Sequence, residues 1–304
     1  MTIIRIERAV YAVDDIPECA RFFEDFGLAP VAADEGGAVL ATAVGQSVRL
    51  RPVGDPDLPP AVEDGPTLRE VVWGVDTRES LAALHAELTR DREVRVDAEG
   101  VLHTVDETGF GLGFAVADVV EPEVGYPGVN GFGTAARLNR PLDPPGRVRP
   151  LRICHVALNI PQRGRAEAVR FYLDRLGFKA TDVVEPMGVF MRAPGDRDQH
   201  TMLLCHRPDR AGVNHTAYEV ASFDEVINGA NHMIERGWRE ARKLGRHTIG
   251  SNVFRFVHAP CGGRVEYAAD MDRVDDTFET RVHATTPPHH LWTLQTNRDG
   301  DQSQ

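Results

Sequence analysis

Paired cysteines, a basic patch and a long apolar run are all missing from this sequence, and each absence excludes a class of protein. The cysteines, Cys19, Cys154, Cys205 and Cys261, lie far apart and form no Cys-x-x-Cys pair, so neither a disulfide framework nor a zinc knuckle is indicated. Reduced thiols in a cytoplasmic protein are the simplest expectation. Acidic residues outnumber Lys and Arg by 46 to 34, and no Lys/Arg cluster offsets the net charge of −12, so nucleic acid and anionic membrane are not expected partners. No apolar stretch approaches the roughly 20 residues that span a bilayer. The opening MTIIRIERAV lacks the apolar core of a signal peptide. What is present is the composition of a soluble globular chain, 42% apolar and 26% charged, long enough at 304 residues for two domains of ordinary size.

The chain repeats itself. RAVYAVDDIPECARFFEDFGL (Arg8 to Leu28) resembles HVALNIPQRGRAEAVRFYLDRLGF (His155 to Phe178): a strand pattern, a short loop, an amphipathic helix and a glycine stop. In the second copy Ala168, Val169, Tyr172 and Leu176 make the helical stripe, and Gly177 stands where a C-cap glycine belongs. VVWGVDTRESLAALHAEL (from Val71) likewise parallels TAYEVASFDEVINGANHMI (from Thr216), whose Ser222 and Glu225 have capping-box spacing. The unit strand–helix–strands therefore occurs four times, starting near residues 3, 66, 151 and 213. A Pro/Gly-rich stretch from about Glu121 to Pro150 separates the halves, and the tail after Asp276 reads as irregular. The expected fold is α+β: four βαβββ modules paired into two domains, 1–135 and 136–304, each a curled mixed sheet (a half-barrel pair) with helices outside.

In ICHVALNI (Ile153 to Ile160) a period of two puts Cys154, Val156, Leu158 and Ile160 on one strand face and Ile153, His155, Ala157 and Asn159 on the other. NHTAYEV aligns His215 with Ala217 and Glu219, and CGGRVEYAAD aligns Glu266 with Arg264 and Ala268. Superposing the halves on their own similarity sets His155 against Arg8, His215 against Glu70 and Glu266 against Gly113, so only the second half keeps ligand chemistry at all three places. Two imidazoles and one carboxylate aimed inward suit the facial triad of non-haem Fe(II) sites; zinc with a bound water is the competing use of the same ligands. Two further histidines are expected to flank the pocket: His200, on a face with Met202 and Leu204, and His247, in a loop before a strand. His206 and His232 are expected at the surface, and His289 and His290 in a solvated tail.

Taken together, ICHVALNI, FYLDRLGF, RDQHTMLL, NHTAYEV, GRHT and the final P-CGGRVEY resemble the type I extradiol catechol dioxygenases. These belong to the vicinal-oxygen-chelate superfamily, which also holds glyoxalase I and bleomycin-resistance proteins. The resemblance covers essentially the whole chain, with the metal site in the second half. It implies that His155, His215 and Glu266 hold iron, that His200 is the acid/base residue and that His247 touches a substrate oxygen. It also exposes a departure. The family usually has a tyrosine ten residues before the ligand glutamate, and this chain has Phe256. His258 and Tyr267 are the candidates to supply the missing hydrogen bond to substrate, and an altered phenolic substrate is equally consistent with the change.

The resemblance thus implies Fe(II)-dependent extradiol cleavage of a catechol-type aromatic diol with O₂, in degradation of aromatic compounds by a homo-oligomer. Mn(II) accepts the same ligands. Two alternatives remain at this stage: a metal-dependent glyoxalase-like lyase or isomerase, and a non-catalytic small-molecule-binding protein of the same superfamily.

Overall fold

The structure, a computed structural model, describes residues 2–34, 36–122, 128–142 and 146–295. Its first half runs β1 (Ile3–Val13), α1 (Ile16–Phe26), β2 (Ala29–Asp34), β3 (Gly37–Ala41), β4 (Ser47–Pro52), β5 (Thr67–Val75), α2 (Arg78–Leu88), β6 (Arg95–Val96), β7 (Leu102–Val105) and β8 (Gly111–Val116). The second half opens with β9 (Arg152–Pro161), α3 (Arg165–Arg170), β10 (Lys179–Val184), β11 (Gly188–Arg192) and β12 (Met202–Arg207). It continues with β13 (Gly212–Glu219), α4 (Phe223–Glu235), β14 (Glu240–His247), β15 (Val253–His258), β16 (Arg264–Ala269), β17 (Arg281–His283) and β18 (His290–Thr293). The chain is thus α+β, with four βαβββ modules in two mixed sheets. The boundary expected at 135/136 falls in the connection between β8 and β9, of which 123–127 and 143–145 lie outside the described residues.

Among the described residues the first sheet has eight strands in the order β2-β3-β4-β1-β5-β8-β7-β6, and the second ten, β17-β10-β11-β12-β9-β13-β16-β15-β14-β18. Each centres on an antiparallel pair, β1 with β5 and β9 with β13, and each member of that pair is flanked by a parallel strand of its own module. One topology is therefore written twice.

Alternation and capping explain the elements. Asp15 caps α1 by accepting from the Glu18 N–H, Pro17 stands in its first turn, and Gly27 ends it at φ +109°, a conformation that favours glycine. Phe22, Phe23 and Phe26 line its buried stripe, each contributing roughly 2–3 kcal/mol by leaving water. Ser222 accepts from the Glu225 N–H to start α4, and the Glu225 carboxylate reaches back to the Ala221 N–H.

One apolar core crosses both halves. Phe26 of α1 stacks on Tyr267 of β16 with ring centroids 3.9 Å apart, and Phe22 meets Trp238 edge-on at 5.0 Å. Polar ties accompany them: the Tyr11 and Thr216 hydroxyls lie 2.9 Å apart, and Trp238 Nε1 donates to Asp25 at 2.9 Å.

The structure departs from simple periodicity in three places. The third module's helix widens after Arg170 into a π-helical turn over Phe171–Arg175, and both Phe171 and Tyr172 are buried there. In β9 the register shifts beside Ala217 and Tyr218, so Cys154 joins Ala217 and Ala268 while Ile153 packs with Val156 and Leu158 in the main core. The expected Cys154 face is thus reversed. The tail is not irregular throughout, because β17 pairs with β10 and β18 with β14.

Asp106 locks the halves together. Its Oδ1 accepts from the backbone N–H groups of Thr108, Gly109 and Phe110 at 2.8–3.0 Å, while Oδ2 accepts from the Tyr172 hydroxyl at 2.8 Å. Burial nevertheless pushes its carboxyl up to about 6. Asp106→Ala strands those donors, so urea unfolding should show a loss of about 3 kcal/mol, against about 1 kcal/mol for Tyr172→Phe.

Candidate metal centre

The site grows from three adjacent strands. Ala217 on β13 pairs with His155 of β9 on one side and with Glu266 of β16 on the other. His215 stands two residues earlier on β13, on the same face. Ala217 is fully buried and small, so the three functional side chains close over it. His155 Nε2 and His215 Nε2 are 3.0 Å apart, and Glu266 Oε2 lies 3.2 Å from the first and 3.3 Å from the second.

The neighbours fix which atoms point inward. His215 Nδ1–H donates to Asn214 Oδ1 at 2.9 Å, leaving Nε2 with its lone pair toward Glu266. Asn252 Nδ2 donates to Glu266 Oε1 at 3.0 Å, while Oε2 is buried with no hydrogen-bond partner. A buried carboxylate oxygen without a donor, facing two imidazole nitrogens, is costly unless a cation stands between them. Three ligand atoms about 2.1 Å from one ion lie about 3.0 Å apart on an octahedral face and about 3.4 Å apart in a tetrahedron. The observed separations fit that range. His155, His215 and Glu266 are also the one cluster of potential metal-ligating side chains found among the described residues.

Electrostatics prepares the same forms. Burial, then the Arg152 charge, drives His155 down to about 3; burial also keeps His215 well below the ordinary imidazole value. Both are neutral ligands at pH 7. Burial pushes Glu266 up to about 7, opposed by His247 and nearby arginines. A bound dication offsets the cost of its charge.

The first half repeats the register without the chemistry. Val72 pairs with Arg8 and with Gly113 as Ala217 pairs with His155 and Glu266, and Glu70 precedes Val72 as His215 precedes Ala217. A Cβ on Gly113 would come within 2.7 Å of Val72 Cγ2, and Val10, Val72 and Val101 fill the space.

His155 and His215 of this cluster line a cavity of about 290 Å³. His200 lines it, its ring centroid 4.4 Å from that of His155, with Nδ1–H donating to Gln199 Oε1 at 2.6 Å. Gln199 in turn donates to Asp182 at 2.6 Å. His247 also lines the cavity, stacked on Phe254 at 4.0 Å with Nε2 3.8 Å from Glu266 Oε1, and burial drives it down to about 4. Phe256 lines it and meets His215 edge-on at 5.1 Å.

Other expected positions differ. Tyr267 alternates with Glu266 and so faces the main core, where its hydroxyl donates to the Phe26 carbonyl at 2.8 Å; it cannot reach a substrate in this cavity. His258 shares the Phe256 face but lies at the end of β15 opposite Arg264, outside the cavity lining. His200 precedes β12 and shares the cavity with Leu203 and Cys205, whereas Met202 and Leu204 face the main core. His247 ends β14 rather than sitting in a loop. His206 is buried, since β12 runs between β11 and β9. His289 belongs to the cavity lining with Pro287 and Pro288, and His290 to β18. Asn214, Asn252 and Gln199 gave no signal in the sequence, because an amide that orients a ligand looks like any other strand or loop amide.

Residues 152–267 match the family described as the Glyoxalase/Bleomycin resistance protein/Dioxygenase superfamily. Among curated proteins the chain is similar to metapyrocatechase 2 of Cupriavidus necator, 38% identical over 128 residues that cover 42% of this chain and 39% of that protein. Biphenyl-2,3-diol 1,2-dioxygenase of Paraburkholderia xenovorans (strain LB400) is 29% identical over 139 residues, 44% of this chain and 45% of that one. The match thus spans less than half the length of these curated relatives. Among solved structures, the Mn(II)-bound glyoxalase from Novosphingobium aromaticivorans shares the fold with a TM-score of 0.71 at 24% identity, over 94% of this chain and 89% of that one. The halotolerant catechol dioxygenase BphC does so with a TM-score of 0.73 at 16% identity, over 98% and 96%.

Because the metal-free Glu266 carboxyl holds its proton below about pH 7, a dication must displace that proton, and affinity should fall as pH drops through 7. The slope approaches about tenfold per pH unit. His155, driven down to about 3, stays neutral and adds nothing to this slope near pH 7. Anaerobic Fe(II) titration against a chromophoric chelator at several pH values measures this slope, and Glu266→Gln should remove it together with most of the affinity.

Proposed function

We propose that this chain, a member of the Glyoxalase/Bleomycin resistance protein/Dioxygenase superfamily through residues 152–267, is an Fe(II)-dependent extradiol dioxygenase that opens a catechol-type ring beside its two hydroxyls. The observation that carries this reading is the meeting of two neutral imidazole nitrogens and one carboxylate oxygen, 3.0–3.3 Å apart, against a cavity that also holds His200 and His247. On the same reading residues 136–304 form the catalytic unit and 1–135 its scaffold.

When bound by His155, His215 and Glu266, Fe(II) supplies open positions for the diol oxygens and O₂ and the redox chemistry between them. The remaining work falls to the chain. The three ligands come from neighbouring strands of one sheet, which leaves the cavity side free. His200 is neutral, its tautomer set by Gln199, so Nε2 is available to take a proton from the diol and return it as the ring opens. His247, held by its stack on Phe254, orients a substrate oxygen. Phe190, Leu203, Ile249 and Phe256 give the ring apolar walls and exclude water.

Fold similarity to the Mn(II)-bound glyoxalase favours a second reading, a metal-dependent lyase, which consumes no oxygen. Iron-loaded protein with catechol and 2,3-dihydroxybiphenyl should take up one O₂ per diol and give a yellow ring-opened product, and chelation should abolish both. His200→Ala should lower kcat by about 10²–10⁴-fold while the iron content stays the same. No O₂ uptake with any aromatic diol contradicts the proposal.

A further inference from the structure

Three guanidinium groups line the cavity beyond the metal cluster: Arg207 at the end of β12, Arg242 on β14 and Arg264 at the start of β16. Among the described residues none of the three forms an ion pair. Arg207 donates to the His206 carbonyl at 3.1 Å, Arg264 donates to the backbone and side-chain oxygens of Asn214, and Arg242 rests over the Phe256 ring. Several other arginines, among them Arg152, Arg175, Arg255 and Arg273, meet carboxylates instead. The carboxylate that Arg242 and Arg264 act on here is Glu266 of the ligand cluster.

The three cations act on a common region. Each draws down the proton affinity of the buried Cys205 thiol, another residue of the cavity wall. Arg242 and Arg264 lie 5.5 Å and 5.3 Å from the Phe256 ring centroid, so the phenylalanine face holds both by cation–π attraction. Arg242 and Arg207 both act against the charge of Arg264, opposed by Glu266, and an anion entering among the three guanidiniums relieves their repulsion through charge-assisted hydrogen bonds. The distance is also suitable. Arg264 stands two residues before Glu266 on the same strand face, and a strand advances about 7 Å over two residues, the scale of an aromatic ring.

We infer that the substrate is an aromatic diol bearing an anionic substituent, a carboxylate on the ring or on a short side chain, and that Arg207, Arg242 and Arg264 select it. This rests on the ring-cleavage reading for the diol and on the arginines alone for the anion. The diol end meets the metal cluster and the carboxylate end meets the guanidiniums, with Phe256 against the ring between them.

The test compares 3,4-dihydroxyphenylacetate and 3-(2,3-dihydroxyphenyl)propionate with their neutral counterparts 4-ethylcatechol and 3-propylcatechol, on the iron-loaded full chain. The carboxylated diols should lead in kcat/KM by about tenfold or more, mainly through KM, and added salt should shrink that lead. In Arg242→Gln and Arg264→Gln the ratio of carboxylated to neutral kcat/KM should fall about tenfold, with partial rescue by Arg→Lys. Calorimetry with phenylacetate against benzyl alcohol provides a readout that needs no turnover. Arginine-dependent phenylacetate binding upholds the anion site even if no diol is opened, in which case it is the ring-cleavage reading that fails. Equal preference for neutral and carboxylated diols, unchanged by the arginine variants, overturns the inference and leaves ring cleavage standing.

Discussion

The structure depends on one arrangement of unlike atoms: two imidazole lone pairs held 3.0–3.3 Å from each other and from a fully buried carboxylate oxygen. Left to themselves these groups repel or stay unsatisfied, and burial raises the cost by holding Glu266 toward its protonated form. Such a cluster persists only because three strands of a sheet fix its members from below and Asn214 and Asn252 fix them from the side. A divalent cation placed among the three atoms would turn this cost into binding.

The fold explains how the cluster is made and why it is made once. A duplicated topology gives each half a central antiparallel pair flanked by parallel strands, and so two places of equal geometry. Side-chain size then decides. Ala217 leaves room above the second sheet, whereas Val72, with Val10 and Val101, closes the first. The filled half is still needed, because Phe26, Tyr11 and Asp106 complete the core and hydrogen bonds of the half that carries the site.

Much of this was legible in the sequence, for a physical reason: strand alternation and an internal repeat together specify both face and register. That is how His155, His215 and Glu266 stood out from other histidines and acids, and why Arg8, Glu70 and Gly113 marked the first half as different. Legibility ended where regularity ends. The register shift beside Ala217 reversed the face of Cys154, and the π-helical turn at Phe171 follows from packing that periodicity does not encode. Tyr267 is a sequence candidate for touching substrate, yet as the neighbour of Glu266 on the strand it faces the opposite way, onto Phe26. His289 reads as part of a solvated tail because nothing in TTPPHHLW announces that β18 pairs with β14 and carries the segment over the cavity. The arginines were invisible as a group, since they come from three strands far apart in the chain.

The most direct measurement is anomalous X-ray diffraction at the iron edge from crystals of the full chain loaded with Fe(II) without oxygen. The account predicts one peak about 2.0–2.3 Å from His155 Nε2, His215 Nε2 and Glu266 Oε2 together. A fully loaded protein whose peak lies elsewhere, at the His289–His290 pair for instance, or that shows none at these three atoms, would contradict it.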